Sequence, residues 1–132
     1  MHRNPSRPMA PHLTVWKWGP HMVVSILHRV TGAGLAIVGG AALVWWLAAA
    51  AGGPDSYATF TSWATHWTGI VVAVGLTWAL LQHTLTGLRH FALDIGAGYE
   101  LSTNKFWSLM TLVGGLVLTI ALWAWILRGH WL

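Results

Sequence analysis

The residues able to do chemistry fall into two short runs. The first, Ser25-Ile26-Leu27-His28-Arg29-Val30-Thr31-Gly32, passes from polar and basic side chains directly into an apolar stretch, and from Val30 to Gly53 no side chain ionises. The second is Gln82-His83-Thr84-Leu85-Thr86-Gly87-Leu88-Arg89-His90-Phe91-Ala92-Leu93-Asp94. On a helix of 3.6 residues per turn, His83, Gly87, His90 and Asp94 fall at i, i+4, i+7 and i+11 and share one stripe. His83 lies about 10 Å deeper along the axis than His90. An ionisable group at that depth faces protein, a cofactor or a water-filled path.

Neutral imidazole binds haem iron, and a b-type haem needs no cysteine attachment, so His83 is the candidate axial ligand. A hydrogen bond to a neighbouring helix is the competing reading. Gly87, one turn away, leaves room for a flat macrocycle against the helix. His66 is on the same helix but about 25 Å along the axis, so one iron cannot take both, and a second ligand would come from another subunit. His28 and His90, with Arg29 and Arg89, suit haem propionates, because basic groups favour carboxylates through charge-assisted hydrogen bonds. For His90 an interfacial position with no ligand is the alternative. Ser25 and Arg29, one turn apart, offer a hydroxyl and a fixed guanidinium that together polarise a carbonyl oxygen, as a membrane-soluble quinone would present. Binding of a lipid phosphate by Arg29 is the alternative there. His66 and His130 suit ordinary roles near the outer side, and His2, His12 and His21 read as surface groups.

The elements that must position these groups are membrane helices. Of 132 residues, 55% are hydrophobic and 8% charged, against about 25% charged in soluble domains. About 20 mostly apolar residues cross a hydrocarbon core as helix, and three stretches qualify, at about 22–51, 62–91 and 106–127. The expectation is an all-α integral membrane protein with an interfacial segment over residues 1–20 and a three-helix domain over 21–132. A secretory signal or transit peptide fits the first stretches poorly, and a mature bacterial-type N-terminus is expected. The absence of cysteine excludes disulfides and thiolate metal sites held by this chain alone. The net charge of +4 does not point to nucleic acid, because Arg3, Arg7, Lys17 and Arg29 precede or open the first span, Arg89 and Lys105 flank the second connection, and the loop 52–61 carries no Lys or Arg. The positive-inside bias therefore puts the N-terminus in the cytoplasm and the C-terminus outside, on the periplasmic side.

Local signals fill in the connections. Pro5, Pro8, Pro11 and Pro20 deny the first twenty residues a continuous helix. Trp16 and Trp18 around Lys17 suit the headgroup layer, and Trp45 and Trp46 suit the outer interface. Gly32, Ala36 and Gly40 repeat small residues at four-residue spacing, which favours close helix approach. Gly52-Gly53-Pro54-Asp55-Ser56 reads as a plain turn. The third helix, with Gly114, Gly115 and Thr119, is expected to serve packing only, as an antiparallel neighbour of the second.

Three motifs in this order resemble the cytochrome b membrane-anchor subunit of succinate dehydrogenase, respiratory complex II. They are Arg7-Pro8-Met9-Ala10-Pro11-His12-Leu13, the run Ser25 to Gly32, and His83 to His90 with Asp94. The resemblance covers nearly the whole chain. Ala10 and Trp16 depart from the family's frequent Ser and Tyr. The resemblance implies that His83 is one axial ligand of a haem b shared with a second membrane subunit, and that Ser25 and Arg29 line a ubiquinone site. It further implies that His28 and His90 contact haem propionates, within a haem environment that includes Arg29 and Gly87. An iron–sulfur subunit, fed by a flavoprotein that oxidises succinate, would dock on the N-terminal segment and cytoplasmic helix ends. The chain would thus be a subunit of succinate:quinone oxidoreductase in the bacterial inner membrane, with no complete active site of its own. A haem-free structural anchor and a quinol:fumarate reductase anchor are the alternatives.

Overall fold

The computed structural model describes Ser6, residues 17–129 with their side chains, and the backbone of residues 130 and 131. Arg3, Arg7, His2, His12, Trp16 and the segment 7–13 lie outside the described residues, as does the side chain of His130. All regular structure among the described residues is helical: α1 (Pro20–Gly34), a π-helical segment (Leu35–Gly39), α2 (Gly40–Ala51), α3 (Pro54–Ala64), α4 (Trp67–Asp94) and α5 (Leu101–Trp131). Three rods are long and apolar enough to cross a membrane: Pro20–Ala51, Trp67–Asp94 and Leu101–Gly129.

The first rod opens where Pro20, lacking an N–H, occupies the first turn. Gly19 ahead of it is extended, and its carbonyl accepts from Met22 and Val23 N–H at 2.9 and 3.2 Å. The loose winding at Leu35–Gly39 rotates α2 relative to α1. The expected small-residue stripe is broken for that reason. A methyl at Gly32 would meet α4, Ala36 is exposed, and Gly40 has open space around it.

The expected plain turn at 52–56 is instead the entry to a separate helix. Gly53 takes φ 90°, a left-handed conformation that glycine adopts without strain, and Pro54 opens α3 with Asp55 in its first turn. The hydroxyls of Thr59, Thr61 and Thr65 donate to carbonyls four residues back, and that of Ser62 to one three back. This polar helix stays outside the span, so the second span begins at Trp67 rather than near 62. His66 breaks the two apart in an extended conformation. Asp94 closes α4 in a Schellman arrangement, with Gly96 at φ 86° donating to Leu93 O (2.8 Å) and Ala97 donating to Ala92 O (3.0 Å). After that tight reversal α5 starts at Leu101, earlier than the expected 106.

α4 packs against both α1 and α5, and α1 also touches α5. The interior is polar and the outside apolar, as a bilayer solvent requires. Among the described residues Thr31, Gln82, Thr86, Ser108, Thr111 and Thr119 are buried, against only Val24 and Ala49 of the hydrophobic ones. The buried hydroxyls donate to carbonyls of their own helix. Their small side chains let the helices approach closely. A methyl at Gly115 would sit 2.5 Å from the Gln82 Oε1.

Candidate functional site

α1 and α4 run antiparallel, and their contact is built from imidazoles. The rings of His28 and His83 stack with centroids 3.9 Å apart and an interplanar angle of 7°. His90, on the next turns of α4, has its ring 5.0 Å from that of His28, tilted by 57°. All three are half-buried. The stripe expected on α4 therefore faces α1 at His83, Gly87 and His90, while Asp94 at its end is exposed. The ring of His28 lies flat on His83 and also stands 5.0 Å from that of His90, so it fills the step between the two.

One of the two glycines at this contact makes the approach possible. A methyl on Gly32 would lie 2.9 Å from His83 Cε1, so only glycine seats that ring without a shift. A methyl on Gly87 would lie 3.8 Å from His28 Cε1, an ordinary contact. The space beside Gly87 thus borders the His28 imidazole, and the tighter glycine is Gly32, to which sequence alone assigned only helix packing.

Hydrogen bonds orient both rings and fix the tautomer of His83. The Thr31 hydroxyl lies 2.7 Å from Leu27 O and 3.2 Å from His28 O, and since carbonyls only accept, its single proton goes to them. Its oxygen is left to accept from His83 Nδ1 at 3.1 Å, and His28 O accepts from the same nitrogen at 3.1 Å. In its neutral form His83 therefore carries its proton on Nδ1 and keeps a lone pair on Nε2. Likewise the Thr86 hydroxyl donates to Gln82 O or His83 O, at 2.8 and 3.0 Å, and accepts from His28 Nδ1 at 2.7 Å. Each histidine donates to the threonine that stands three residues after the other histidine. Neither threonine was assigned a role from the sequence; the paired spacing His28/Thr31 and His83/Thr86 was the available signal.

Ser25 is half-buried and Arg29 exposed, one turn apart on α1. Among the described residues neither makes a side-chain hydrogen bond, and the histidine cluster does not draw them in. Arg89 departs from its expected place beside the histidines. It donates from Nη2 to Asn104 Oδ1 on α5 at 2.6 Å, because it lies about 120° around α4 from His83. His66 is exposed and its Nδ1 is 2.9 Å from the Thr68 hydroxyl. His21 is half-buried rather than a surface group, its ring lying over Gly19.

Among the described residues no group of three or more His, Asp or Glu side chains converges on one metal position. His28 and His83 both commit Nδ1 and leave Nε2 open, and of the two only His83 is oriented by a hydrogen bond from Nδ1 to a backbone carbonyl. Metal-ligating histidines use that same arrangement. The donor set fits a haem iron held by one ligand from this chain. Contact between the stacked rings leaves no room for a macrocycle between them.

Helices that bury hydroxyls and imidazoles and turn their apolar faces outward define a multi-pass membrane subunit with a histidine site between its first two spans. Residues 3–122 match the family model of the succinate dehydrogenase/fumarate reductase transmembrane subunit, and the chain belongs to that family. It is 35% identical over 115 residues to the succinate dehydrogenase cytochrome b556 subunit of Paracoccus denitrificans, covering 87% of this chain and 88% of that one. The cytochrome b556 subunit of Rickettsia conorii is 31% identical over 89% of this chain and 90% of its own length. The mouse mitochondrial cytochrome b560 subunit is 34% identical over 70% of this chain and 56% of its own.

Proposed function

We propose that this chain is the haem b- and ubiquinone-binding membrane anchor of a succinate:ubiquinone oxidoreductase in a bacterial inner membrane, with its N-terminus in the cytoplasm. Family membership supports the anchor role. The observation that carries the haem assignment is the Nδ1 donation of His83 to His28 O and Thr31, which leaves Nε2 for iron. His83 would hold the haem iron from this chain, and a second membrane subunit would supply the other ligand. His28, stacked on His83, and His90, beside His28, would meet the haem propionates, with Gly87 and Arg29 completing the haem environment from the same two helices. Haem b, when bound, supplies a one-electron redox centre within the membrane.

Ser25 and Arg29 bind the quinone. The guanidinium, permanently charged, and the hydroxyl one turn away donate to a quinone carbonyl oxygen and stabilise the negative charge that builds there on reduction. The half-buried position of Ser25 beside the exposed Arg29 suits a ligand that enters from the membrane edge. Electrons arrive from an iron–sulfur subunit that docks on the cytoplasmic helix ends and is supplied by a flavoprotein.

The test is the reduced-minus-oxidised spectrum of the purified complex carrying His83→Ala. The b-type signal should vanish or change, with subunit stoichiometry and succinate oxidation by a soluble acceptor retained. An unchanged spectrum in an assembled complex removes His83 as ligand.

A further inference from the structure

The helix pair α4 and α5 encloses a groove of about 670 Å³ on a side of α4 away from the histidines. Its composition is divided along its length. Toward the reversal between the two helices it is lined by Arg89, Thr103 and Asn104 together with the small residues Ala92 and Gly98, and from there Leu85, Trp107, Met110, Gly114 and Leu118 carry an apolar wall along α5 and α4. Trp107 and Leu88 are more than half exposed, so the groove opens sideways rather than into the bundle. Gly114 deepens it, since a methyl there would lie 3.2 Å from Leu85 Cδ1.

We propose that this groove is a phospholipid site, with the phosphate at Arg89 and an acyl chain along the apolar floor between α4 and α5. Three observations converge on that occupant. The first is charge. Arg89 is the one cation lining the groove and no carboxylate lines it. Of its five N–H donors one is committed to Asn104, which holds the guanidinium in place and leaves a fork that matches a phosphate. The second is length. Thr103 to Leu118 spans about 22 Å of helix axis, and half of a bilayer with its headgroups is also about 20–22 Å. The third is polarity, because a single charged end followed by a leaflet's depth of apolar wall matches an amphiphile.

The experiment uses the intact complex in phosphatidylcholine nanodiscs doped with a photoactivatable phosphatidylglycerol, with adducts mapped by mass spectrometry. A parallel series uses a photoactivatable diacylglycerol, which has the chains without the phosphate. Phosphatidylglycerol adducts should concentrate on Leu88, Trp107 and Met110 over the outward face of α2 at Val44 and Leu47. Arg89→Gln should lower the phosphatidylglycerol yield several-fold and leave the diacylglycerol yield unchanged. Ala92→Leu, which fills the groove without touching the charge, should lower both. Each variant is scored only on complexes that retain all subunits by gel filtration. Equal labelling of the groove and α2, or a yield indifferent to both substitutions, overturns the site. So does a groove that takes no lipid label while cross-linking to a neighbouring subunit.

Discussion

Gly32→Ala is the most informative single change, because its consequence is set by one distance. The added methyl would lie 2.9 Å from His83 Cε1, whereas ordinary contacts begin at 3.4 Å, so one partner must give, by 0.5 Å to restore an ordinary contact. The imidazole is the free end of a side chain, yet it is held on two sides. Its face is against His28 at 3.9 Å, and its Nδ1 is held by Thr31 and His28 O, each at 3.1 Å. Moving it costs those bonds or presses it into the neighbouring ring, about 1–3 kcal/mol by the usual penalty for overpacking. A displacement near 0.5 Å is also the tolerance within which functional groups must be held. The purified Gly32→Ala complex should therefore show a shifted or diminished b-type difference spectrum and a lowered haem-to-flavin ratio. Gly87→Ala, whose methyl meets His28 at 3.8 Å, leaves the His83 ring in place and should perturb both less than Gly32→Ala does. The reverse result, with Gly87→Ala losing haem and Gly32→Ala keeping it, would refute the reasoning. It would mean that the macrocycle lies against Gly87 and that the His83 ring is not confined by Gly32.

The two threonines should differ in a set direction. Thr86→Val leaves His28 Nδ1 without the acceptor it has at 2.7 Å, an unsatisfied donor worth about 1–3 kcal/mol, whereas Thr31→Val leaves His83 Nδ1 its carbonyl and costs about 0.5–1.5 kcal/mol. Thermal melts of the purified complex should rank Thr86→Val below Thr31→Val. The opposite ranking would mean that the tautomers are assigned the wrong way round. Arg29→Ala should depress ubiquinone reduction by about 10²–10³-fold if the guanidinium acts as a charge-stabilising donor, with succinate oxidation by a soluble acceptor nearly unchanged. Equal losses in the two assays would count against a quinone site at Arg29.

What a sequence discloses about a membrane bundle depends on whether the signal lies along one helix or between two. The three spans and the stripe His83, Gly87, His90 and Asp94 are properties of single helices, fixed by apolar length and by the 3.6-residue period, and they were legible. The reversal after Asp94 was legible for the same reason, since Gly96 and Gly98 must take positive φ locally. α3 was missed because its hydroxyls look like loop residues in sequence, although each donates to its own helix backbone. The contacts between α1 and α4 depend on how far one helix has slid past the other, and no periodicity carries that offset. Gly32 consequently read as one of a series of small packing residues until the antiparallel register put His83 against it. Arg89, by contrast, is turned from the histidines by the helical period itself, a single-helix signal. Arg89 and His90 both sit at the level suited to an anionic group, but 100° of rotation turns His90 toward α1 and Arg89 toward Asn104 on α5. A stripe thus identifies which residues act together, and the register decides what they act upon. In this chain rotation about α4 gives the histidines to the α1 interface and the arginine to the groove beside α5, so two adjacent residues of one motif face two different helices.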